Sequence, residues 1–180
     1  MKLAIIALLA TSASAEPWRA TEGSLEAGLA PESYILSTNA APGRYSEGTA
    51  IAPVEVDLPY RFDLHLRRLG PEAGRSMHVL VAGGIILIKE NAISFYAYDD
   101  AAFASGEWKH LEGYRAHDDH AIRVDQDANR VTVTIDNRAP VVFPLAVARK
   151  KARVGVGMKG APGYRSQIAV HDLVVKHSGT

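Results

Sequence analysis

The feature that most constrains this chain is an unbroken two-residue alternation, Arg61-Phe62-Asp63-Leu64-His65-Leu66-Arg67. Successive side chains of a β-strand point to opposite faces, so Phe62, Leu64 and Leu66 share one side while Arg61, Asp63, His65 and Arg67 share the other. A helix would scatter the same residues around its circumference. The stretch therefore calls for a sheet with one covered face. Val131-Thr132-Val133-Thr134-Ile135-Asp136 repeats the pattern with β-branched residues, which suit a pleated, half-buried surface. Further strands are predicted at Tyr34 to Ser37, Gly48 to Val56, His78 to Ala82, Gly84 to Lys89 and Ile93 to Tyr98. Beyond them come Ala121 to Asp125, Val141 to Phe143, Arg153 to Gly157 and Gln167 to Val175. Turn chemistry marks the joints, at Gly70-Pro71, Gly83-Gly84, Glu90-Asn91, Asp127-Ala128-Asn129, Asp136-Asn137 and Pro162-Gly163. Ala20 to Ala30 is read as a helical turn or two, weakened by Gly23 and Gly28. Many short strands, with no helices to cover a parallel sheet, predict an all-β antiparallel sandwich or barrel.

The N-terminus carries a different signal. Met1-Lys2, the apolar run Leu3 to Ala10 and the small residues Ala13-Ser14-Ala15 have the layout of a secretory signal peptide cleaved after Ala15. The run is shorter than the roughly 20 residues needed to span a bilayer, so an anchor is not expected. The domain reading is a leader at 1–15, an N-terminal segment with the first strands at 16–58, and the remainder of one sandwich at 59–180. The product is expected to be exported, periplasmic or extracellular, with no membrane insertion after leader removal. There is no cysteine, so disulfides, thiolate metal sites and cysteine nucleophiles are excluded. Lys plus Arg number 20 and Asp plus Glu number 20, a balance without the basic excess that drives phosphate binding, so no nucleic-acid partner is expected.

From about Pro59 to Val175 the chain resembles the concanavalin A-like lectin/glucanase jelly-roll class, which includes laminin G-like modules. Pro59-Tyr60-Arg61-Phe62-Asp63-Leu64 resembles the long early strand of such domains. Trp108 followed by Ala121-Ile122-Arg123-Val124-Asp125 resembles the stretch before their central hairpin. The hairpin itself resembles Val131 to Arg138, followed by a strand at Arg153-Val154-Gly155-Val156-Gly157 and a closing strand at Ile168 to Val175. Asn137 stands where that turn usually carries Gly, and Asn tolerates the left-handed conformation required. The two-residue alternation predicts, for such a β-sandwich, Phe62, Leu64, Leu66, Phe95, Ile122, Val124, Val131, Val133, Ile135, Val154, Val156 and Ile168 between its sheets. The class hosts lectins, glycosidases, polysaccharide lyases and adhesion modules, so the fold alone assigns no function.

Several constellations bear on chemistry. Jelly-roll glucanases use an E-x-D-x-x-E strand, because retaining cleavage needs two carboxyls about 5–5.5 Å apart. Glu55-Val56-Asp57 begins the pattern, but Tyr60 occupies the place of the second Glu. His117-Asp118-Asp119-His120 is the densest set of metal-ligand types, yet no partner pair stands out, and a solvated turn is the reading preferred. Asp99-Asp100 is treated alike, so no metal and no cofactor is expected. Trp108 is expected in the core or at its rim. Arg149-Lys150-Lys151-Ala152-Arg153 is the one basic run, read as a solvated loop, and Gly155-Val156-Gly157 lacks the helix of a dinucleotide site and reads as strand.

The aromatics are more informative. In Ile93-Ser94-Phe95-Tyr96-Ala97-Tyr98, an inward Phe95 places Tyr96 and Tyr98 on the outer face. Sugar rings stack their C–H faces on aromatics, while charged and hydroxyl groups bind their hydroxyls. Outward His65, Arg67 and Arg123 would supply those partners if their strands neighbour that of Tyr96. The expected function is thus a non-catalytic module for a glycan or envelope polysaccharide. The alternatives are a sugar-active hydrolase or lyase of the same fold, the lyase drawing on His65, His78, Tyr96, Arg67 and Arg123, and a structural or protein-interaction module.

Overall fold

The structure is a computed structural model that describes residues 18–29, 33–53, 55–69, 76–98, 103–105, 107–145 and 151–177. The leader at 1–15, Gly70-Pro71, Asp99-Asp100 and Arg149-Lys150 lie outside the described residues. In chain order the strands begin with β1 (Arg19–Glu22), β2 (Ser24–Ala27), β3 (Tyr34–Asn39), β4 (Ser46–Ile51) and β5 (Val56–Asp57). They continue with β6 (Tyr60–Leu69), β7 (Ser76–Val81), β8 (Gly84–Ile88), β9 (Ala92–Tyr98), β10 (Phe103–Ser105) and β11 (Lys109–His110). The last are β12 (His120–Gln126), β13 (Arg130–Ile135), β14 (Val141–Pro144), β15 (Lys151–Ala152), β16 (Gly155–Gly160) and β17 (Arg165–His177).

Two antiparallel sheets form a sandwich. One runs β1-β4-β16-β7-β8-β9-β10, with β11 also pairing β9, and the other runs β14-β13-β12-β6-β17-β3-β2. β5 and β15 form a separate two-stranded ribbon. All twelve residues expected in the core are buried, joined by Tyr60, Met77, Val79, Ile86, Ile88, Ile93 and Met158. The alternation of β6 holds: Phe62, Leu64 and Leu66 are at most 1% exposed, while Asp63 and His65 are half-buried and Arg67 is exposed. The closing strand β17 pairs with both β6 and β3. No helix among the described residues is long and apolar enough to cross a membrane.

One detail departs from the sequence expectations and another bears them out. The described part of Ala20 to Ala30, through Leu29, is not helical but carries β1 and β2, which join opposite sheets by pairing β4 and β3. Gly23 makes the crossing with φ +74°, and a Cβ there would lie 2.4 Å from the Ser37 carbonyl oxygen. Pairing with existing strands outweighed a weak local preference. The β13–β14 turn places both Asp136 and Asn137 at positive φ, so Asn serves where Gly is common.

At one end of the sandwich a buried polar network ties the sheets together. The Gln126 amide, at the end of β12, donates to the Ala82 carbonyl at 2.6 Å and accepts from the Ala82 N–H at 3.0 Å. The Tyr60 hydroxyl donates to the Gln126 carbonyl oxygen and accepts from Ala82 N–H at 3.1 Å. Burial, only partly offset by that backbone contact, pushes the phenol well above its usual range. The β7–β8 hairpin is thereby fixed to the opposite sheet, which matters because that hairpin carries much of the outer surface described next.

Candidate functional site

The alternation that buries Met77, Val79, Ile86, Ile88 and Phe95 turns His78, Leu80, Ile85, Leu87 and Tyr96 outward. Strand register aligns these in rows across the sheet. One row runs from Tyr96 through Ile85 to Leu80. The next runs from Leu87 through His78, Gly157 and Thr49 to Glu22. A third holds Ser76, Lys159 and Glu47. Gly157 contributes no side chain, so its row dips between Thr49 and His78. Together the rows line a groove of about 570 Å³, within the size range of small-molecule sites. Leu80, Ile85, Leu87 and the Tyr96 ring make an apolar floor, and Thr21, Glu22, Glu47 and Lys159 supply polar groups toward the β1–β4 side.

His78 is the central polar group. Burial, with a smaller contribution from the positive charge of Lys159, lowers its pKa from 6.5 to about 4. Its Nε2 lies 2.8 Å from the Ser76 hydroxyl. At neutral pH it is therefore an uncharged hydrogen-bonding group. Lys159 in turn faces Glu47 at 3.9 Å. Such a surface can stack an apolar ring face and bind hydroxyls with its polar tips. No arginine is among the described residues that line it, so it lacks the clamp a uronate carboxylate would need.

The residues singled out from sequence do not share one surface. Tyr96 lines this groove. Tyr98 pairs with Phe103 through its backbone, and its side chain lies outside the described residues. His65 and Arg67 on β6 and Arg123 on β12 belong to the other sheet, whereas β9, among the described residues, pairs with β8, β10 and β11. The expectation that their strands neighbour that of Tyr96 is therefore corrected. Alternation tells which residues face away from the core but not which of two sheets carries them. His65 and Arg123 line a smaller groove of about 230 Å³ with Asp63, Asp172 and Lys176. Arg123 Nε donates to Asp63 at 2.9 Å, and Arg67 lines neither groove.

Asp57 lies in the β5–β15 ribbon, 3.8 Å from Lys151, and Tyr60 is fully buried, so the partial glucanase pattern lies apart from the groove. Trp108 is a rim residue, 36% exposed, with Lys89 Nζ 4.1 Å above its ring. Within His117-Asp118-Asp119-His120, His117 and Asp118 are exposed. His120 is buried, stacked on Tyr114, with its ring nitrogens 2.7 Å from an Asp136 carboxylate oxygen and 2.6 Å from the Arg115 carbonyl. It organises the turn before β12. Asp119 behaves differently: it meets His65 and also His171, a residue the sequence reading did not single out. His171 lies 52 positions away, and only the pairing of β17 with β6 brings it alongside.

No protein-family model and no curated protein sequence matches the chain. Solved structures do. The carbohydrate-binding module CBM66 from Bacillus subtilis matches with TM-score 0.68 at 6% identity, over 88% of this chain and 94% of that one. A prokaryotic β-1,3-1,4-glucanase (lichenase) from a mouse hindgut metagenome matches with TM-score 0.62 at 14% identity, over 89% and 92%. The exoplasmic/lumenal domain of VIP36, solved with Ca²⁺ and Man3GlcNAc, matches with TM-score 0.59 at 11% identity, over 90% and 86%. These likenesses join binding modules, lectins and hydrolases through overall architecture. The protein adopts the concanavalin A-like lectin/glucanase fold.

Proposed function

We propose that this chain is an exported, non-catalytic carbohydrate-binding module whose ligand, a neutral oligosaccharide, lies in the groove on the outer face of the larger sheet. The observation that carries the reading is the groove's composition: an apolar floor ending in Tyr96, beside an uncharged His78 and polar side chains on the β1–β4 side. Among the described residues that line the groove, Glu22 and Glu47 outnumber the cation Lys159, which disfavours polyanionic sugars. Export rests on the leader pattern at Met1 to Ala15.

The enzyme reading is less well supported. A hydrolase needs two carboxyls flanking one bond. The groove's carboxylates, Glu22 and Glu47, stand on the edge strand and its neighbour, while the central strand β7 offers Ser76 and His78. A lyase could draw on His78 and Tyr96, which share the groove, but an imidazole lowered to about 4 is a weak base. Calorimetric titration of the full chain with neutral gluco-, manno- and fructo-oligosaccharides tests the proposal. Stacking and hydroxyl contacts predict affinities on the order of micromolar to millimolar for at least one of them. Tyr96→Ala is expected to remove binding, and no reducing ends or unsaturated products are expected from the wild type. Absence of binding across the panel, or release of product, would overturn the assignment.

A further inference from the structure

The outer face of the opposite sheet carries a cluster with a different chemistry. β6 and β17 pair His65 directly with His171, and their rings stack with centroids 4.5 Å apart. Asp119, in the turn before β12, reaches over both. One carboxylate oxygen lies 3.3 Å from His65 Nδ1 and 3.0 Å from His171 Nε2, and its other oxygen lies 3.2 Å from the same Nε2. The three donor atoms are all within 4.8 Å of one another.

We propose that His65 Nδ1, the Asp119 carboxylate and His171 Nε2 form a binding site for one divalent transition-metal ion, with zinc the best fit. Imidazole and carboxylate bind zinc at about 2.0–2.2 Å, so tetrahedral ligands lie about 3.3 Å apart. The observed separations of 3.0–3.3 Å are of that size. The ion takes the place of protons that would otherwise bridge one carboxylate to two imidazoles. Hard cations such as calcium prefer six or more oxygens, and two imidazoles select against them.

The surroundings strengthen the assignment. His171 Nδ1 lies 2.9 Å from Asp172 Oδ2. This is the carboxylate–histidine–metal arrangement, in which an outer carboxylate accepts the N–H opposite the ligating nitrogen and fixes the ring. Asp172 reaches that position through an irregularity in β17: pairing with β6 shifts between His171 and Val174, and Asp172 sits at φ +52°. Such bulges re-aim side chains, and a non-glycine residue held at positive φ marks a position the fold constrains. Three protein ligands leave a fourth position for water or an exogenous donor. His65 and Asp172 also line the smaller groove, so that position borders a cavity. The site is on the sheet opposite the proposed sugar groove and stands independently of it.

The test is equilibrium binding of ZnCl2, and of CoCl2 followed by its visible absorption, to the full chain without an affinity tag. One ion per chain is expected, with cobalt showing the intense bands of a tetrahedral site. His65→Ala and His171→Ala are each expected to weaken zinc binding at least 100-fold, and Asp172→Asn by about 10–100-fold, the usual effect of losing an outer-shell partner. His110→Ala and His177→Ala, both exposed positions elsewhere, should leave binding unchanged. All three cluster side chains are partly exposed, and thermal melts without metal will confirm that the variants fold. Less than one ion per chain in the wild type, or equal binding in the His171 and His110 variants, would overturn the proposal.

Discussion

Gln126→Leu tests the link that holds the groove-bearing hairpin in place. The Gln126 side chain is 2% exposed for the residue as a whole and makes three hydrogen bonds, two to the Ala82 backbone and one from Tyr60. Leucine has a similar volume, so the substitution removes polarity without opening a large cavity. The Ala82 N–H retains the Tyr60 oxygen at 3.1 Å, but the Ala82 carbonyl and the Tyr60 proton lose their partners. Each buried polar group left unpaired costs about 1–3 kcal/mol, so the variant, with two of them, should lose about 2–6 kcal/mol. For a chain of this size that is a fall in Tm of about 4–24 °C. Urea unfolding should show a lower midpoint with an unchanged slope. Tyr60→Phe should cost only about 0.5–1.5 kcal/mol, because Gln126 keeps both contacts with Ala82. The double variant should cost less than the sum of the two, since the residues share one network. A loss below about 1 kcal/mol for Gln126→Leu, against the cost expected for two orphaned groups, would show that this network does not tie the sheets together.

Three further perturbations test the fold and its electrostatics. His78 has a folded pKa of about 4 against 6.5 when exposed, so the unfolded state gains a proton first as pH falls. Its contribution to stability is full above pH 6.5 and is lost progressively down to about pH 4, by at most about 3 kcal/mol; the difference between wild type and His78→Gln across that window measures it. Gly157→Ala would place a Cβ 2.8 Å from the Gly48 carbonyl oxygen and force β16 from β4, at a cost of about 1–3 kcal/mol readable in the melting temperature. Leu64→Ala should cost about 2–5 kcal/mol, whereas Thr132→Ala, on the outer side of β13, should cost far less, and equal losses in chemical denaturation would contradict the assigned faces.

The two-residue period made the sandwich legible because each strand's inner residues are chosen by a single physical demand, burial between sheets. That demand is local, so Phe62, Leu64, Val133 and Val156 could be placed inward from their neighbours alone. The surface obeys no such local rule. Tyr96 and His65 were both recognisable as outward, but their separation onto opposite sheets depends on strand order, which alternation does not encode. The grouping of Asp119 with His65 and His171 likewise arises from pairing across 106 sequence positions between the two histidines. One cue was present: His171-Asp172 puts a carboxylate beside an outward histidine in the stretch that the family resemblance marks as the closing strand. Gly155-Val156-Gly157 held another, since alternate glycines on a strand leave an outer face without side chains. The misread stretch, Ala20 to Ala30, shows the reverse limit, because weak helix propensity yields where two sheets each offer an edge.

In the proposed function, sugar binds on the outer face of the larger sheet. Titrating the isotope-labelled protein with the oligosaccharide that binds in calorimetry, and mapping the perturbed amide and side-chain resonances, addresses it most directly. Shifts are expected to concentrate at His78, Leu80, Ile85, Leu87, Tyr96 and Lys159, and to be lost in Tyr96→Ala. Shifts concentrated instead at Asp63, His65, Arg123 and Lys176 would contradict it by placing the ligand on the opposite face.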